Sequence, residues 1–322
     1  MTEDAGEPLA IGIDIGGTKV AGGVVDTRGR VRALTRADTP ANDATRTRGV
    51  IIDVVRELAA AHPVTAVGIG AAGWIDRQDR IRFAPNLAWR DEPLADQVAA
   101  AVDLPVVVEN DANAAAWAEF TFGAGQPADD SMVLVALGTG IGGGLVIGGQ
   151  LIRGGHGFAG EPGHQVAVPD GLPCGCGRRG CLEQYASGGA LVRYARAGAA
   201  ANPSAAASLL ALAGSPEQVT GPQVTTAARA GDKVAREAFD QVGQWLGVGL
   251  ADLVQLLDPQ VLVIGGGVAE AGELLLAPTR DSYRQALAAR GDLPVAPVRV
   301  AQLGNIAGVV GAADLARLRG TR

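Results

Sequence analysis

Short apolar runs alternate with longer amphipathic stretches along this chain, and the alternation starts twice. Leu9 to Ile15 and Val20 to Val25 are apolar and flank Gly16-Gly17-Thr18-Lys19, which predicts two strands joined by a tight glycine turn. Arg30 to Arg36 reads as a third strand. Asn42 to Ala61 places Val50, Val54, Leu58 and Ala61 at the spacing of a helix with one buried face. Val64 to Ile69 is then a strand, Leu94 to Val102 a helix, Val106 to Val108 a strand, and alanine-rich Asp111 to Phe120 a helix.

The second start is at Ser131 to Leu137 and Gly144 to Ile147, which flank Gly138-Thr139-Gly140-Ile141-Gly142-Gly143 in the manner of the first hairpin. Two hairpins of one kind suggest a duplicated unit. Helices are expected from Ser187, across Ser204 to Leu212, from Thr225 to Leu257, and from Asn305 to Leu318. Val261 to Ile264 is a buried strand entering Gly265-Gly266-Gly267. The small-residue segment Ala195 to Gly221 is expected to cover the surface. The pattern predicts two α/β domains: residues 1–121, with the helix at 305–322 packed on them, and residues 122–304.

Composition narrows the classes. A chain of 322 residues, 48% hydrophobic and 19% charged, can bury two ordinary cores. Its net charge of -7 argues against nucleic acid as the main partner, because phosphate backbones need a basic face. Met1 to Pro8 is acidic and poor in apolar residues, unlike a secretory signal, so the expected location is cytoplasmic. Met132 to Gly149 is uncharged and as long as a short membrane span. It contains seven glycines, however, each costing a helix about 0.8 to 1 kcal/mol relative to alanine. Two buried strands around a glycine turn, and no membrane span, are expected there.

Three features carry chemistry. All three cysteines, Cys174, Cys176 and Cys181, lie in one short glycine- and arginine-rich stretch, with His164 upstream. Three cysteines cannot all pair, and three sulfurs plus one imidazole complete a closed tetrahedral Zn2+ site. Such a site has no open position for water, so the metal braces a loop. Arg178 and Arg179 are expected at its solvated tip. The glycine turns Gly16-Gly17-Thr18, Gly138-Thr139-Gly140 and Gly265-Gly266-Gly267 present backbone N–H groups with no Cβ in the way, as a phosphate nest does. Asp14 beside the first suggests Mg2+ held through water. The third could admit a base or ribose. Neither a Walker-type nor a dinucleotide fingerprint is present. Finally, Glu109-Asn110-Asp111-Ala112-Asn113 puts a carboxylate where a buried strand gives way to a helix. Asp111 suits either a helix cap or a general base that orients a hydroxyl for attack on a γ-phosphate.

Taken together, Asp14-Ile15-Gly16-Gly17-Thr18-Lys19, Glu109-Asn110-Asp111-Ala112-Asn113, Gly138-Thr139-Gly140-Ile141-Gly142-Gly143-Gly144, Glu161-Pro162-Gly163-His164 and the cysteine run through Leu182-Glu183 resemble the ROK family of repressors and sugar kinases, and within it the ATP-dependent glucokinases. The resemblance covers nearly the whole chain. It implies an actin-like ATPase fold of the ribonuclease H-like kind, with two α/β domains around a cleft, and transfer of the γ-phosphoryl of Mg-ATP to the 6-hydroxyl of glucose. It implies Asp111 as the base and Gly73, Asn86, Asn110, Asp111, Glu161, His164 and Glu183 as sugar ligands. Asp14, Gly16, Gly17, Thr18, Lys19, Gly138, Thr139, Gly140, Gly265, Gly266 and Gly267 would serve the nucleotide, and His164, Cys174, Cys176 and Cys181 the structural zinc. His164 would then present one ring nitrogen to zinc and the other to sugar. Trp74 and Trp89 are expected to pack against the core. Kinases of this family for N-acetylmannosamine, N-acetylglucosamine, fructose or allose, and a catalytically silent sugar sensor, are the rival readings. The repressors carry a helix-turn-helix ahead of the first strand, which the residues before Leu9 are too few to form. A homodimer or homotetramer is the expected assembly.

Overall fold

The computed structural model describes residues 7–84 and 87–319. Its first part runs β1 (Leu9–Ile15), β2 (Lys19–Val25), β3 (Val31–Asp38), α1 (Ala44–Ala61), β4 (Val64–Ala71), the short strands β5 (Trp74–Ile75), β6 (Ile81–Phe83) and β7 (Arg90–Glu92), α2 (Leu94–Val102), β8 (Val106–Asn110) and α3 (Asp111–Phe122). The second runs β9 (Met132–Leu137), β10 (Ile141–Ile147), β11 (Gln150–Leu151), α4 (Glu183–Ala186), α5 (Gly188–Ala201), α6 (Ala207–Ala213), α7 (Gly221–Arg229), α8 (Lys233–Leu257), β12 (Val261–Gly265), α9 (Glu273–Ala286), β13 (Val298–Val300) and α10 (Ala307–Arg319).

Two five-stranded sheets result, ordered β3-β2-β1-β4-β8 and β11-β10-β9-β12-β13, so the second repeats the order of the first strand for strand. In the first, β2 pairs antiparallel with β1 and β3, while β1, β4 and β8 run parallel. This duplicated mixed sheet is that of the actin-like ATPases. The chain forms two compact units: residues 1–134, 144–160 and 302–322, and residues 135–143 and 161–301. It passes from one unit to the other inside β9 and again inside β10.

The first sheet separates large from small side chains by the strand period of two. Ile11, Ile13 and Ile15 of β1 and Val67 and Ile69 of β4 join α1 and α2 in one buried cluster. The alternate positions are Ala10, Gly12, Asp14, Ala66, Gly68 and Gly70. On that side the backbone of α10 comes down onto the sheet. A Cβ on Gly12 would lie 1.8 Å from the Val309 carbonyl oxygen, and one on Gly68 the same distance from that of Ala312. Ala10, Val25, Ala118, Val309, Val310 and Ala313 close the core there.

Several elements differ from the sequence pattern. The helix expected over Thr225 to Leu257 is two helices, because Gly231 takes a positive φ of 94° and Asp232 caps α8 by accepting the Ala235 N–H at 3.0 Å. Asp232 also accepts the Leu209 N–H, tying α6 to the same turn. Ala195 to Gly221 is not merely a surface cover: Ala195, Ala199, Ala206, Leu209 and Val219 are buried, since alanine lets helices approach closely. Met132 to Gly149 forms β9, a turn and β10, and no helix of the described residues is long and apolar enough to cross a membrane.

Candidate active site and metal centre

In the first unit the carboxyl ends of the parallel strands β1, β4 and β8 lie side by side, the edge at which open α/β sheets place ligands. Asp14 pairs in register with Gly70, and Ala71 with Asn110. Asp111 opens α3. Asn110 caps that helix by accepting the Asn113 N–H at 3.0 Å, and its side-chain amide donates to the Gly73 carbonyl at 3.1 Å. The Asp111 carboxylate accepts the Ala112 N–H at 2.9 Å. Thus Gly73, Asn110, Asp111 and Asp14 gather at one strand edge. Asn86, expected with them, lies outside the described residues.

Electrostatics sets these acids apart. Burial raises the pKa of Asp111 above the usual carboxylate range, against the opposing pull of the Ala112 N–H. Burial, with the negative charge of Asp111 added, raises Asp14 to about 7. Two desolvated carboxylates this close resist ionising together, so the pair favours a proton or a cation between them.

The first glycine turn is exposed from Gly16 through Lys19. It is closed by Gly16 N–H to the Lys19 carbonyl at 2.9 Å and latched by the Thr39 hydroxyl on the Gly16 carbonyl at 3.0 Å. Lys19 sits in β2 opposite Asp38 of β3.

Behind Asp111 is a cluster that the motif contained but the sequence reading assigned no task. Glu109 is 1% exposed. One of its oxygens accepts the Asn110 N–H at 3.0 Å and the Asn113 side-chain N–H at 3.1 Å. The other meets Arg153 Nε at 3.0 Å and Arg319 of α10. Arg153 also bonds Asp79 at 3.1 Å, and Asp79 accepts the Val108 N–H at 3.3 Å. Buried acids need such partners, and an arginine far away in sequence gave no local signal of this one.

Trp89 is fully buried, as expected, whereas Trp74 is 44% exposed. Trp74 instead stacks obliquely with Phe83 and Phe158, ring centroids 6.0 Å apart in each case.

In the second unit Gly138-Thr139-Gly140 and Gly265-Gly266-Gly267 come together. Gly266 adopts φ +82°, and a Cβ on it would lie 2.4 Å from the Leu137 carbonyl oxygen. Gly138 and Thr139 are exposed, and their carbonyls accept the Gly188 and Gly189 N–H groups that open α5. Glu183 braces this turn by accepting the Ile141 N–H at 3.0 Å. Its other oxygen is 3.6 Å from Cys174 Sγ.

The ligand atoms of His164, Cys174, Cys176 and Cys181 all lie within 4.8 Å of one another. Cys176 and Cys181 sulfurs are 3.7 Å apart, and His164 Nδ1 is 3.7 Å from Cys174 Sγ. Tetrahedral zinc with Zn–S bonds of about 2.3 Å separates its sulfurs by roughly 3.8 Å, so the cluster has the spacing a zinc ion requires. Burial, with the other thiols adding to it, pushes Cys181 up to about 12, and burial raises Cys174 as well. A dication is what would hold such crowded sulfurs as thiolates. Because Nδ1 faces the sulfurs, Nε2 of His164 is left for another partner. The loop is built on the bridges Val166 to Cys181 and Pro173 to Arg179. Arg178 and Arg179 are exposed, as expected, although each also donates to a backbone carbonyl, of His164 and Asp170.

Comparison with known proteins bears on the family and the fold. The ROK family model matches residues 10–319. A glucokinase of Streptomyces coelicolor is 50% identical over 315 residues, covering 96% of this chain and 98% of its own. The crystal structure of a ROK family glucokinase from Streptomyces griseus in complex with glucose and AMPPNP is 52% identical, with a TM-score of 0.87 over 96% of this chain and 99% of that one. A ROK hexokinase from Thermus thermophilus is 36% identical, with a TM-score of 0.82 over 97% and 99%.

Proposed function

This chain belongs to the ROK family, and on that premise we propose that it acts as a glucokinase, transferring the γ-phosphoryl group of Mg-ATP to the 6-hydroxyl of glucose. The observation that carries the reading is Asp111: a carboxylate at the carboxyl edge of a parallel sheet, opening α3 beside Asn110, with its pKa raised by burial. The full-length likeness to a glucokinase crystallised with glucose and an ATP analogue supports substrate and donor.

In the proposed step the 6-hydroxyl oxygen attacks the γ-phosphorus while the bond to the β-phosphate bridging oxygen breaks. The hydroxyl proton passes to the Asp111 carboxylate, and ADP leaves with the electron pair. The transition state is loose, so orientation matters more than basicity, and Asp111 acts mainly by aiming the hydroxyl. Gly73, Asn86 and Asn110 bind the sugar in the first unit, and Glu161, His164 and Glu183 take that role in the second. A hexose is discriminated hydroxyl by hydroxyl when amides and carboxylates bond each one. Gly16 to Lys19 and the turns at Gly138 to Gly140 and Gly265 to Gly267 serve the nucleotide. Asp14 would hold magnesium through water, which supplies charge neutralisation on the transferring phosphate. His164, Cys174, Cys176 and Cys181 would hold zinc, which supplies cross-linking of the loop that carries His164 and leads into Glu183. ATP as donor implies a cytoplasmic place of action, and a homodimer or homotetramer is the assembly to be read by light scattering.

The test is a Mg-ATP phosphorylation assay over glucose, N-acetylmannosamine, N-acetylglucosamine, fructose and allose, with Asp111→Ala as control. Fast turnover on glucose, lost in the control, is expected. Turnover confined to another hexose would change the substrate, and sugar binding without turnover on any would replace the kinase by a sensor.

A further inference from the structure

The ion cluster behind Asp111 is more than a core fastening. Glu109 immediately precedes Asn110 and Asp111, where β8 turns into α3. Through one oxygen it holds the Asn110 N–H at 3.0 Å and the Asn113 amide at 3.1 Å. These two residues flank the turn: Asn110 caps Asn113, and its amide reaches the Gly73 carbonyl. The direction in which Asp111 leaves the strand is therefore set from one buried carboxylate. That carboxylate is itself fixed, because its second oxygen is gripped by Arg153 and Arg319. Arg153 is anchored in turn by the Asp76 carbonyl at 2.9 Å and by Asp79. Asp79 steadies β8 from the other side through the Val108 N–H.

We propose that Glu109, clamped by Arg153 and Arg319, is a positioning residue for the Asp111 base, so that the last turn of α10 takes part in aligning the reacting hydroxyl. The proposal rests on the assignment of Asp111 as base. The chemical logic is that of orientation: an in-line displacement tolerates little angular error in the group that aims the nucleophile. A neutral amide at position 109 has one oxygen and one NH2 group. Whichever way it turns, the NH2 faces either the Asn110 and Asn113 donors or the two guanidiniums, and one side of the clamp is lost.

The experiment is a double-mutant cycle on kcat with Mg-ATP and glucose, using Glu109→Gln, Asp111→Asn and the two combined. Glu109→Gln is expected to lower kcat by about tenfold to a hundredfold, the cost of a misplacement on the order of 1 Å. In the Asp111→Asn background the same change is expected to do almost nothing, because there is no base left to misalign. A purely structural role would lower turnover equally in both backgrounds, and that result, or parental kcat in Glu109→Gln alone, would overturn the proposal. Near-parental turnover in Asp111→Asn alone would instead remove the base assignment, and this proposal with it. Should Glu109→Gln fail to fold, Arg319 carries the same test from a more exposed site. Arg319→Ala is expected to lower kcat and Arg319→Lys to restore most of it, and equal kcat in the two would overturn the proposal.

Discussion

Asp14 and Asp111 set two half-buried carboxyl groups at one strand edge, where burial disfavours their charged forms, and both stability and activity should report it. The sign follows from the direction of the shift. Asp14 has its pKa raised from 3.8 to about 7, so the fold favours its protonated form. The stability this gives is complete below pH 3.8 and is lost as the pH rises through 7. Asp14→Asn removes the titration. Relative to the parent, it should therefore gain about 2 kcal/mol between pH 5 and pH 8.5, read from denaturant midpoints at each pH, while its turnover falls. A difference that stays constant with pH would contradict the assignment. Asp111→Ala should lose orders of magnitude in turnover yet still bind glucose by calorimetry, and near-normal turnover would remove it from the role. The sequence marked both acids, because each stands beside a glycine turn or a strand-to-helix junction. It could not mark what Glu109 does, since its partners Arg153 and Arg319 are brought to it only by the fold.

Among the elements, α10 and the cysteine loop have the clearest consequences. Gly68→Ala would drive a methyl group to 1.8 Å from the Ala312 carbonyl, a backbone atom that cannot step aside unless the helix does. Overpacking of that kind should cost at least about 3 kcal/mol by urea denaturation. Unchanged stability would mean that α10 sits further from the sheet. Cys176→Ser should lose bound zinc, measured by elemental analysis, and raise the KM for glucose. A variant with full zinc and parental KM would defeat the link between metal and sugar loop. The close approach of α10 was written in the sequence as Ala10, Gly12, Ala66, Gly68 and Gly70 alternating with large residues. An apolar run read as a whole conceals that alternation. α9 was hidden for another reason: Pro278 lies inside it, and the helix survives because the ring packs against Gly243 of α8. The strands β5, β6, β7 and β13 have two or three residues each, too few for any periodicity to show.

For the molecule as a whole, the duplicated hairpin was the legible feature, and the two sheets repeat one strand order as that duplication requires. Two of the four positions at which the chain changes unit were not legible, because they fall inside β9 and β10 and not in linkers. The expected grouping already joined the helix at 305–322 to residues 1–121; the compact first unit also takes in residues 122–134 and 144–160, which no local signal marks. Each unit has a core of its own, so heating should give a transition broader than two-state, resolvable into two by calorimetry. A strong chelator should lower the component that belongs to residues 161–301, which contain the cysteine cluster, and leave the other in place. A uniform shift of both would show that the units melt together.

The position of α10 also orders events at the ribosome. β1, β2 and β4 emerge early, but the helix that covers their small-residue face is made only after the whole of residues 161–301. All residues of the second unit have been synthesised by residue 301. The first must wait with an apolar groove open beside Asp14, and Arg319 reaches Glu109 only when α10 docks. A nascent chain arrested before residue 302 should thus bind zinc and resist protease in its second unit while remaining sensitive in its first. With Asp111 in its proposed role, the residues that aim the reacting hydroxyl are completed last, so a half-made chain should hydrolyse no ATP.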